Sequence, residues 1–129
     1  MRFDKFTIKS QELIGNAQSL ASRYGNQQIE PEHFLAAALD EGEGVSTSVL
    51  RKLGVSPEAV HGEVLAAIEA LPKVSGAGEV YLSNRSKAVL NAAFSEASNM
   101  KDEYVSIEHI LLAIAEEKGG RAAQILSAK

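Results

Sequence analysis

The sequence predicts an all-α fold made of two copies of one helical repeat, arranged as a pseudo-twofold pair. First, a shift of 76 positions aligns residues 7–53 with residues 83–129 without a gap. Second, apolar residues recur at helical spacing along most of the chain. Third, the best-matched segments begin alike, with Glu32 opposite Glu108. A gapless match requires equal element lengths, so we expect about seven to eight helices and a duplicate of any surface site.

The first two helices follow from apolar periodicity and from residues that start or stop a helix. From Thr7, apolar residues recur on one helical face until Gly25 interrupts the pattern. Pro31 fits the first turn of a second helix, where its missing N–H is harmless, and Gly42 and Gly44 are expected to end it. The first repeat therefore opens with a long helix and a shorter one, joined by a polar turn.

Two further helices complete the first half of the chain. Ser46 is expected to cap a third helix that ends at Leu53. Ser56 and Pro57 are a strong start for a fourth helix. The inward face of this helix is expected to carry Val60, Val64, Ala67, Ile68 and Leu71. Residues 56–82 connect the repeats as this helix and a glycine-containing surface loop, whose last three residues are expected to be extended.

The second repeat should reproduce the first three helices. A long helix is expected from Ser83 or Asn84 to Met100. Ser106 is expected to cap a shorter helix over residues 107–118. A last short helix should follow the two glycines that come next in the sequence. Each repeat thus has a long helix, a short helix and a final short helix, in that order.

Composition indicates one compact domain in a reducing compartment. The chain has 129 residues, 45% of them hydrophobic, which is enough to form one core. It has no Cys, so disulfides and thiolate metal sites are excluded. The net charge of -4 and scattered basic residues give no footprint for nucleic acid. No apolar run is long enough for a membrane span and no signal peptide is present, so we expect a cytoplasmic protein.

The sequence motifs of enzymes and cofactor sites are missing. There is neither a phosphate-binding loop nor a Gly-x-Gly-x-x-Gly sequence, so we expect no bound nucleotide or other cofactor. His33 and His109 suggest a metal, but the residues four positions later are Ala37 and Ala113, not ligands. We interpret both histidines as polar residues of a first helical turn, bonded to nearby backbone. With no candidate nucleophile either, we expect no metal and no catalysis.

Two equivalent clefts are the candidate binding sites. Glu32 and Glu108 occupy matching first helical turns, where a carboxylate is favoured by the helix dipole with or without a ligand. The long helices begin with the hydroxyls of Thr7 and Ser83. If the long helix of each repeat starts beside the short helix of the same repeat, each repeat has a cleft with an apolar floor and a rim of acceptors. The expected exposed floor residues are Ile8 and Leu82.

Five segments of the chain carry a resemblance to a known family, and they are residues 6–10, 29–33, 71–76, 80–83 and 101–114. In this order they resemble the N-terminal Clp repeat domain of the ClpB disaggregases, in the AAA+ Clp/Hsp100 family. The resemblance covers essentially the whole chain and includes the duplication. The domains of ClpC and ClpA are related, but the entry to the second repeat resembles ClpB better.

The resemblance implies a peptide-binding domain of a heat-shock and stress-response chaperone. Such domains are monomeric when isolated, and they capture unfolded or aggregated polypeptide for ATP-driven threading by hexameric rings, which would lie beyond Lys129. The family's substrate-binding positions match Thr7, Asp102 and Glu108. In ClpC, paired glutamates that hold phosphorylated arginine match Glu32 and Glu108. The alternative that the resemblance leaves open is docking of a folded adaptor protein, as in ClpC-type or ClpA-type protease ATPases.

Overall fold

The computed structural model describes residues 3–40, 44–74 and 79–127, which form seven α-helices and one pair of short strands. The helices are α1 (Ile8–Arg23), α2 (Pro31–Leu39), α3 (Val45–Lys52), α4 (Pro57–Glu69), α5 (Asn84–Asn99), α6 (Ile107–Ala115) and α7 (Arg121–Ser127), and the strands are β1 (Gln28–Ile29) and β2 (Tyr81–Leu82). The predicted all-α class is confirmed. The predicted helix end at Gly42, part of the connecting loop and Lys129 lie outside the described residues.

The duplication is visible in the helix bounds. Adding 76 to the bounds of α1 and α2 gives those of α5 and α6, and adding 76 to the first residue of α3 gives that of α7. The predicted order of three helices per repeat is therefore confirmed. Glu32 and Glu108 are the second residues of α2 and α6, so they occupy matching helix starts.

The two repeats are joined crosswise through the starts of their long helices. The N–H of Thr7, before α1, donates to the carbonyl of Val105 at 3.0 Å. The N–H of Ser83, before α5, donates to the carbonyl of Ile29 at 3.2 Å. Each long helix thus begins against the segment that leads into the short helix of the other repeat. The prediction of a cleft within each repeat is therefore wrong, because each junction takes one helix start from each repeat.

Buried serines reinforce both junctions. The hydroxyl of Ser10 donates to the carbonyl of Val105 at 2.9 Å, and that of Ser86 donates to the carbonyl of Ile29 at 2.5 Å. Both serines are fully buried. A buried hydroxyl or carbonyl without a partner would destabilise the fold by about 1–3 kcal/mol, so these matched bonds favour the crosswise arrangement.

Helix α2 lies at the centre of the core, and every one of its residues is buried. It packs against α1, α4, α6 and α7. The connector α4 covers it with the predicted buried residues Val60, Val64 and Ile68, while Ala67 and Leu71 are half-buried. Helix α4 occurs once in the described chain. Helix α6, the counterpart of α2, retains an exposed face that includes Leu112.

Two predicted helix ends differ from the structure. Gly44, not Ser46, is the residue before α3, and Ser46 lies buried inside the first turn. Helix α6 ends at Ala115 rather than at position 118. The chain leaves the helix here because the N–H of Glu117 turns back to Ile114, and the side chain of Glu117 binds a residue of α5.

Two histidines secure the starts of the short helices, as the sequence predicts. The N–H of Glu30 donates to Nδ1 of His33 at 2.8 Å. The N–H of Ser106 donates to Nδ1 of His109 at 2.9 Å. Each imidazole therefore binds a backbone N–H just before its own helix. The predicted role of these residues in the first turn is confirmed.

His33 is held in its neutral form. Its Nε2 lies 2.9 Å from Oδ1 of Asn26, and Nδ2 of Asn26 donates to the carbonyl of Pro72 at 3.0 Å. This second bond fixes the orientation of the amide, so Nε2 must donate and Nδ1 must accept. Burial is the main reason that the pKa of His33 falls to about 4; Glu32 and the backbone of Glu30 oppose this shift.

We predict that this histidine makes the protein less stable in mild acid. Between pH 6.5 and about 4 the unfolded chain binds a proton at position 33 that the folded protein excludes. The free energy of unfolding should therefore fall through this range by up to about 3 kcal/mol from this residue. Urea unfolding of wild type and His33→Asn at several pH values measures the difference. Parallel curves for the two proteins would show that His33 is not the cause.

Candidate functional site

Four helix starts meet in two junctions, which are related by the internal duplication. The closed junction joins the starts of α2 and α5 and consists of Glu30, Glu32, Leu82, Ser83, Arg85 and Glu117. The open junction joins the starts of α1 and α6 and consists of Thr7, Ile8, Lys9, Ser106 and Glu108. The same backbone hydrogen bonds hold both, as described above. Their side chains differ.

An arginine fills the closed junction. Nη2 of Arg85 lies 2.9 Å from Oε2 of Glu32, and its Nε lies 2.8 Å from Oε2 of Glu117. Glu32 is only 1% exposed, and it also accepts a hydrogen bond from the N–H of Ala122 at the start of α7, at 3.0 Å. Hydrogen bonding to Glu117 is the largest cause of a raised pKa of Arg85; partial burial opposes it and Glu32 adds to it. Glu32 therefore binds both α5 and α7.

The remaining predicted residues of the closed junction are also engaged. The hydroxyl of Ser83 donates to Oε1 of Glu30 at 2.6 Å and accepts from the N–H of Ser86 at 3.0 Å. Ser83 is 4% exposed. Leu82 is half-buried against the core because β2 pairs with β1 and places it beside Ile29, so the prediction that it is exposed is wrong. A ligand would have to displace Arg85 to reach Glu32 here.

The open junction has no such plug among the residues that the structure describes. Thr7 caps α1, since its hydroxyl accepts from the N–H of Ser10 at 3.0 Å. Ile8 is 75% exposed, as predicted for an apolar lining. Glu108 is exposed, and within the described ranges it has no hydrogen-bond or ion-pair partner. The expectation of two equivalent surface sites is wrong, because Arg85 occupies one of the junctions.

Asp102 lies in the turn before α6, on the same repeat as Glu108. Its Oδ2 is 2.9 Å from Nε2 of His109, and its side chain is 47% exposed. The equivalent position in the first repeat is Asn26, which is buried. The second repeat therefore presents two exposed carboxylates near the start of α6, whereas the first presents none at the matching positions.

A groove of about 440 Å³ begins at Glu108, and its lining is mostly apolar. Helix α6 lines one wall with Glu108, Leu111, Leu112 and Ala115, which share one helical face. Helix α3 supplies most of the opposite wall, and α2 and α7 contribute to the groove as well. The open junction and the groove thus share Glu108.

The groove lies where the two repeats meet. Leu35 and Leu111, at equivalent positions, both line it, as do the equivalent Leu50 and Leu126. Several large apolar side chains in the walls of the groove remain exposed to solvent. These are Val49 at 38%, Leu53 at 71% and Leu112 at 40%.

Sequence reasoning missed the groove, although a signal for it was present. Val45 and Val49 on α3, and Leu53 just after its last residue, are spaced four residues apart and all three are exposed. Such an apolar stripe normally faces a core. On a short helix it indicates either a core contact or a binding surface, and the sequence does not distinguish the two. Arg85 was also missed, since a single arginine gives no sign of its distant partners.

Other kinds of site find no support in the described part of the chain. Residues 3–40, 44–74 and 79–127 contain no cluster of three potential metal-binding side chains. Within the same ranges, every helix is too short or too polar to cross a membrane.

The sequence matches a known protein family over nearly its whole length. Residues 5–129 match the family described as the Clp repeat (R) N-terminal domain. The chaperone protein ClpB of Porphyromonas gingivalis is 46% identical over 114 residues, which are 88% of this chain and 13% of that protein. The ClpB of Bacteroides thetaiotaomicron is 47% identical over 114 residues, again 88% of this chain and 13% of that protein. This chain thus spans a small part of the length of these relatives.

A solved structure supports the same assignment. The Hsp104 N-terminal domain from Candida albicans superposes with a TM-score of 0.85 and 26% identity, covering 96% of this chain and 81% of that chain. The predicted resemblance to the Clp repeat N-terminal domains of ClpB is therefore confirmed.

We predict that the two matching glutamates differ sharply in their effect on stability. Glu32→Gln should lower the free energy of unfolding by about 2 kcal/mol, because it removes the charge of a buried carboxylate that binds the partly exposed Arg85. Glu108→Gln is the matched control in the other repeat and should change it by less than about 0.5 kcal/mol. Urea unfolding of both variants at pH 7 measures this. Equal losses would mean that the closed junction does not stabilise the fold.

Proposed function

Since the chain belongs to the Clp repeat N-terminal domain family, we propose that it is the polypeptide-capturing domain of an ATP-dependent protein disaggregase. In this proposal it binds unfolded or aggregated segments and presents them to AAA+ rings that lie outside this chain. The domain itself performs no chemical step and needs no cofactor. The parent assembly is a cytoplasmic hexamer, and the isolated domain is a monomer that binds neither nucleic acid nor membrane.

The exposed apolar groove is the observation that carries the proposal. An unfolded chain differs from a folded one chiefly in its exposed apolar side chains, and a groove with half-exposed Val49 and Leu112 offers surface to cover them. Because apolar contact is not directional, segments of many different sequences can bind in the groove. Ordering an unfolded ligand opposes binding, so we expect weak affinity.

The polar groups at one end of the groove supply selectivity. The closed junction illustrates what the start of a short helix accepts in this fold, since Glu32 holds a guanidinium there at 2.9 Å. Glu108 has the same position on its helix and is exposed. We infer that Glu108, with Asp102 nearby, pairs with a basic side chain of the captured segment. Thr7 and Ile8 lie across the open junction. In this proposal Thr7 binds the backbone of the captured segment and Ile8 contacts its apolar side chains.

The proposal places ligand binding at the open junction and the groove, not at the closed junction. Glu32 and Ser83 are buried and already make the hydrogen bonds described above, and Leu82 is half-buried. We therefore assign these three predicted residues to holding the repeats together. A ligand role for Glu32 like that of the paired glutamates in ClpC would require Arg85 to move aside.

We predict that groove substitutions weaken capture without unfolding the domain. Val49→Ser and Leu53→Ser each remove part of an exposed apolar wall, which corresponds to about 1 kcal/mol of binding free energy or about fivefold in affinity. Val74→Ser is the matched control, since Val74 is 48% exposed and lies outside the groove. Fluorescence anisotropy with a labelled, permanently unfolded polypeptide measures affinity, and melting curves check the fold.

The outcomes separate the proposal from adaptor docking. Equal affinities for wild type, the groove variants and Val74→Ser would exclude the groove as the capture site. If no unfolded polypeptide binds, while a folded adaptor protein binds in a fixed ratio and loses affinity in Val49→Ser, the groove is an adaptor-docking surface instead. A folded partner of this kind would bury about 800 Å² on each side.

We also predict that Glu108 distinguishes basic from neutral ligands. Two labelled peptides of one apolar sequence are compared, with Arg or Gln at the same central position. Glu108→Gln should weaken binding of the Arg peptide several-fold, as expected for a partly desolvated charged hydrogen bond, and leave the Gln peptide unchanged. Asp102→Asn should act in the same direction with a smaller effect, because His109 already binds this carboxylate. If Glu108→Gln weakens binding of both peptides equally, Glu108 has a structural role instead.

A further inference from the structure

The open junction contains a cation of its own at the position that Arg85 occupies in the closed junction. Lys9 is the second residue of α1, as Arg85 is the second residue of α5. Glu108 and Glu32 are likewise the second residues of α6 and α2. The duplication therefore puts a cation and a carboxylate at equivalent positions, with Lys9 and Glu108 in place of Arg85 and Glu32.

From the equivalence of the two backbone frames we infer that these two residues lie within reach of each other. The N–H of Thr7 and the N–H of Ser83 bind the equivalent carbonyls of Val105 and Ile29, at 3.0 and 3.2 Å. Each pair of helix starts is thus held in the same frame. Arg85 spans its junction to lie 2.9 Å from Glu32, and a lysine side chain has a similar length.

Lys9 does not close its junction in this structure. Its Nζ lies 3.9 Å from Glu12, one turn along the same helix, and the two side chains are 73% and 54% exposed. Such an exposed pair is weak, so Lys9 can leave it at little cost. The open junction also lacks a counterpart of Glu30, since Ser106 takes that position. A lysine, in addition, cannot form the bidentate pair of a guanidinium.

We propose that Lys9 exchanges between Glu12 and Glu108 and is thereby a built-in competitor, which yields the carboxylate of Glu108 to a basic side chain of the captured polypeptide. This inference rests on the function proposed above. In it, Lys9 sets how strongly the open junction favours basic ligands. A weak competitor prevents tight binding of single basic residues while permitting segments that also fill the apolar groove.

Substitutions of Lys9 in opposite directions test the proposal. With the labelled Arg peptide described above, Lys9→Met should raise affinity by about two- to fivefold, because it removes the competitor. Lys9→Arg should lower affinity, because a guanidinium closes the junction better. Lys87→Met is the control, since it removes an exposed charge from α5, away from the open junction. In a Glu108→Gln background both effects of position 9 should disappear.

Thermal unfolding tests the contact without any peptide. Lys9→Arg should raise the unfolding midpoint by about 1–3 °C, and this gain should vanish in the Glu108→Gln background. If Lys9→Arg changes neither midpoint nor affinity while Glu108→Gln still weakens binding, Lys9 does not compete and only this inference fails. An equal gain from Lys87→Met would likewise overturn it, by showing a general charge effect. If wild type binds no peptide, the proposed function fails, and the unfolding data alone decide whether Lys9 reaches Glu108.

Discussion

The fold depends on one constraint, which is that each long helix begins on the backbone of the other repeat. The carbonyls of Val105 and Ile29 each accept a backbone N–H and a buried serine hydroxyl from the opposite repeat. In a single repeat these groups would lose their partners, and the surface that the other repeat covers would be exposed to water. The two copies therefore form one domain, not two units on a tether, and their junctions fix the relative positions of the starts of α1, α2, α5 and α6.

The same backbone frame serves two purposes because the side chains at its four helix starts differ. Where position 85 is Arg and position 30 is Glu, the junction is filled and stabilises the core. Where the equivalent positions are Lys9 and Ser106, the carboxylate of Glu108 is exposed beside an apolar groove. Duplication supplied two identical frames, and a few substitutions account for one structural junction and one open junction.

Most of the helices could be predicted, because their starts depend on residues that are neighbours in sequence. The site could be predicted only in part, because it depends on contacts between residues far apart in the chain. Thr7, Ser56 and Ser106 begin helices as predicted, because capping involves neighbours in sequence. The burial of Glu32 was not predictable, since it depends on Arg85, far away in the chain. The groove also escaped prediction, because its walls come from residues far apart in the chain, such as Leu50 and Leu111.

NMR of the isotope-labelled domain, titrated with an unlabelled unfolded polypeptide, tests the central claim most directly. The claim is that ligand binds across the open junction and the groove, while the closed junction stays intact. It predicts that amide shifts concentrate at the start of α1 and along α3 and α6, with little change at Arg85 and in β1 and β2. Shifts centred on Arg85, or of equal size at both junctions, would contradict it.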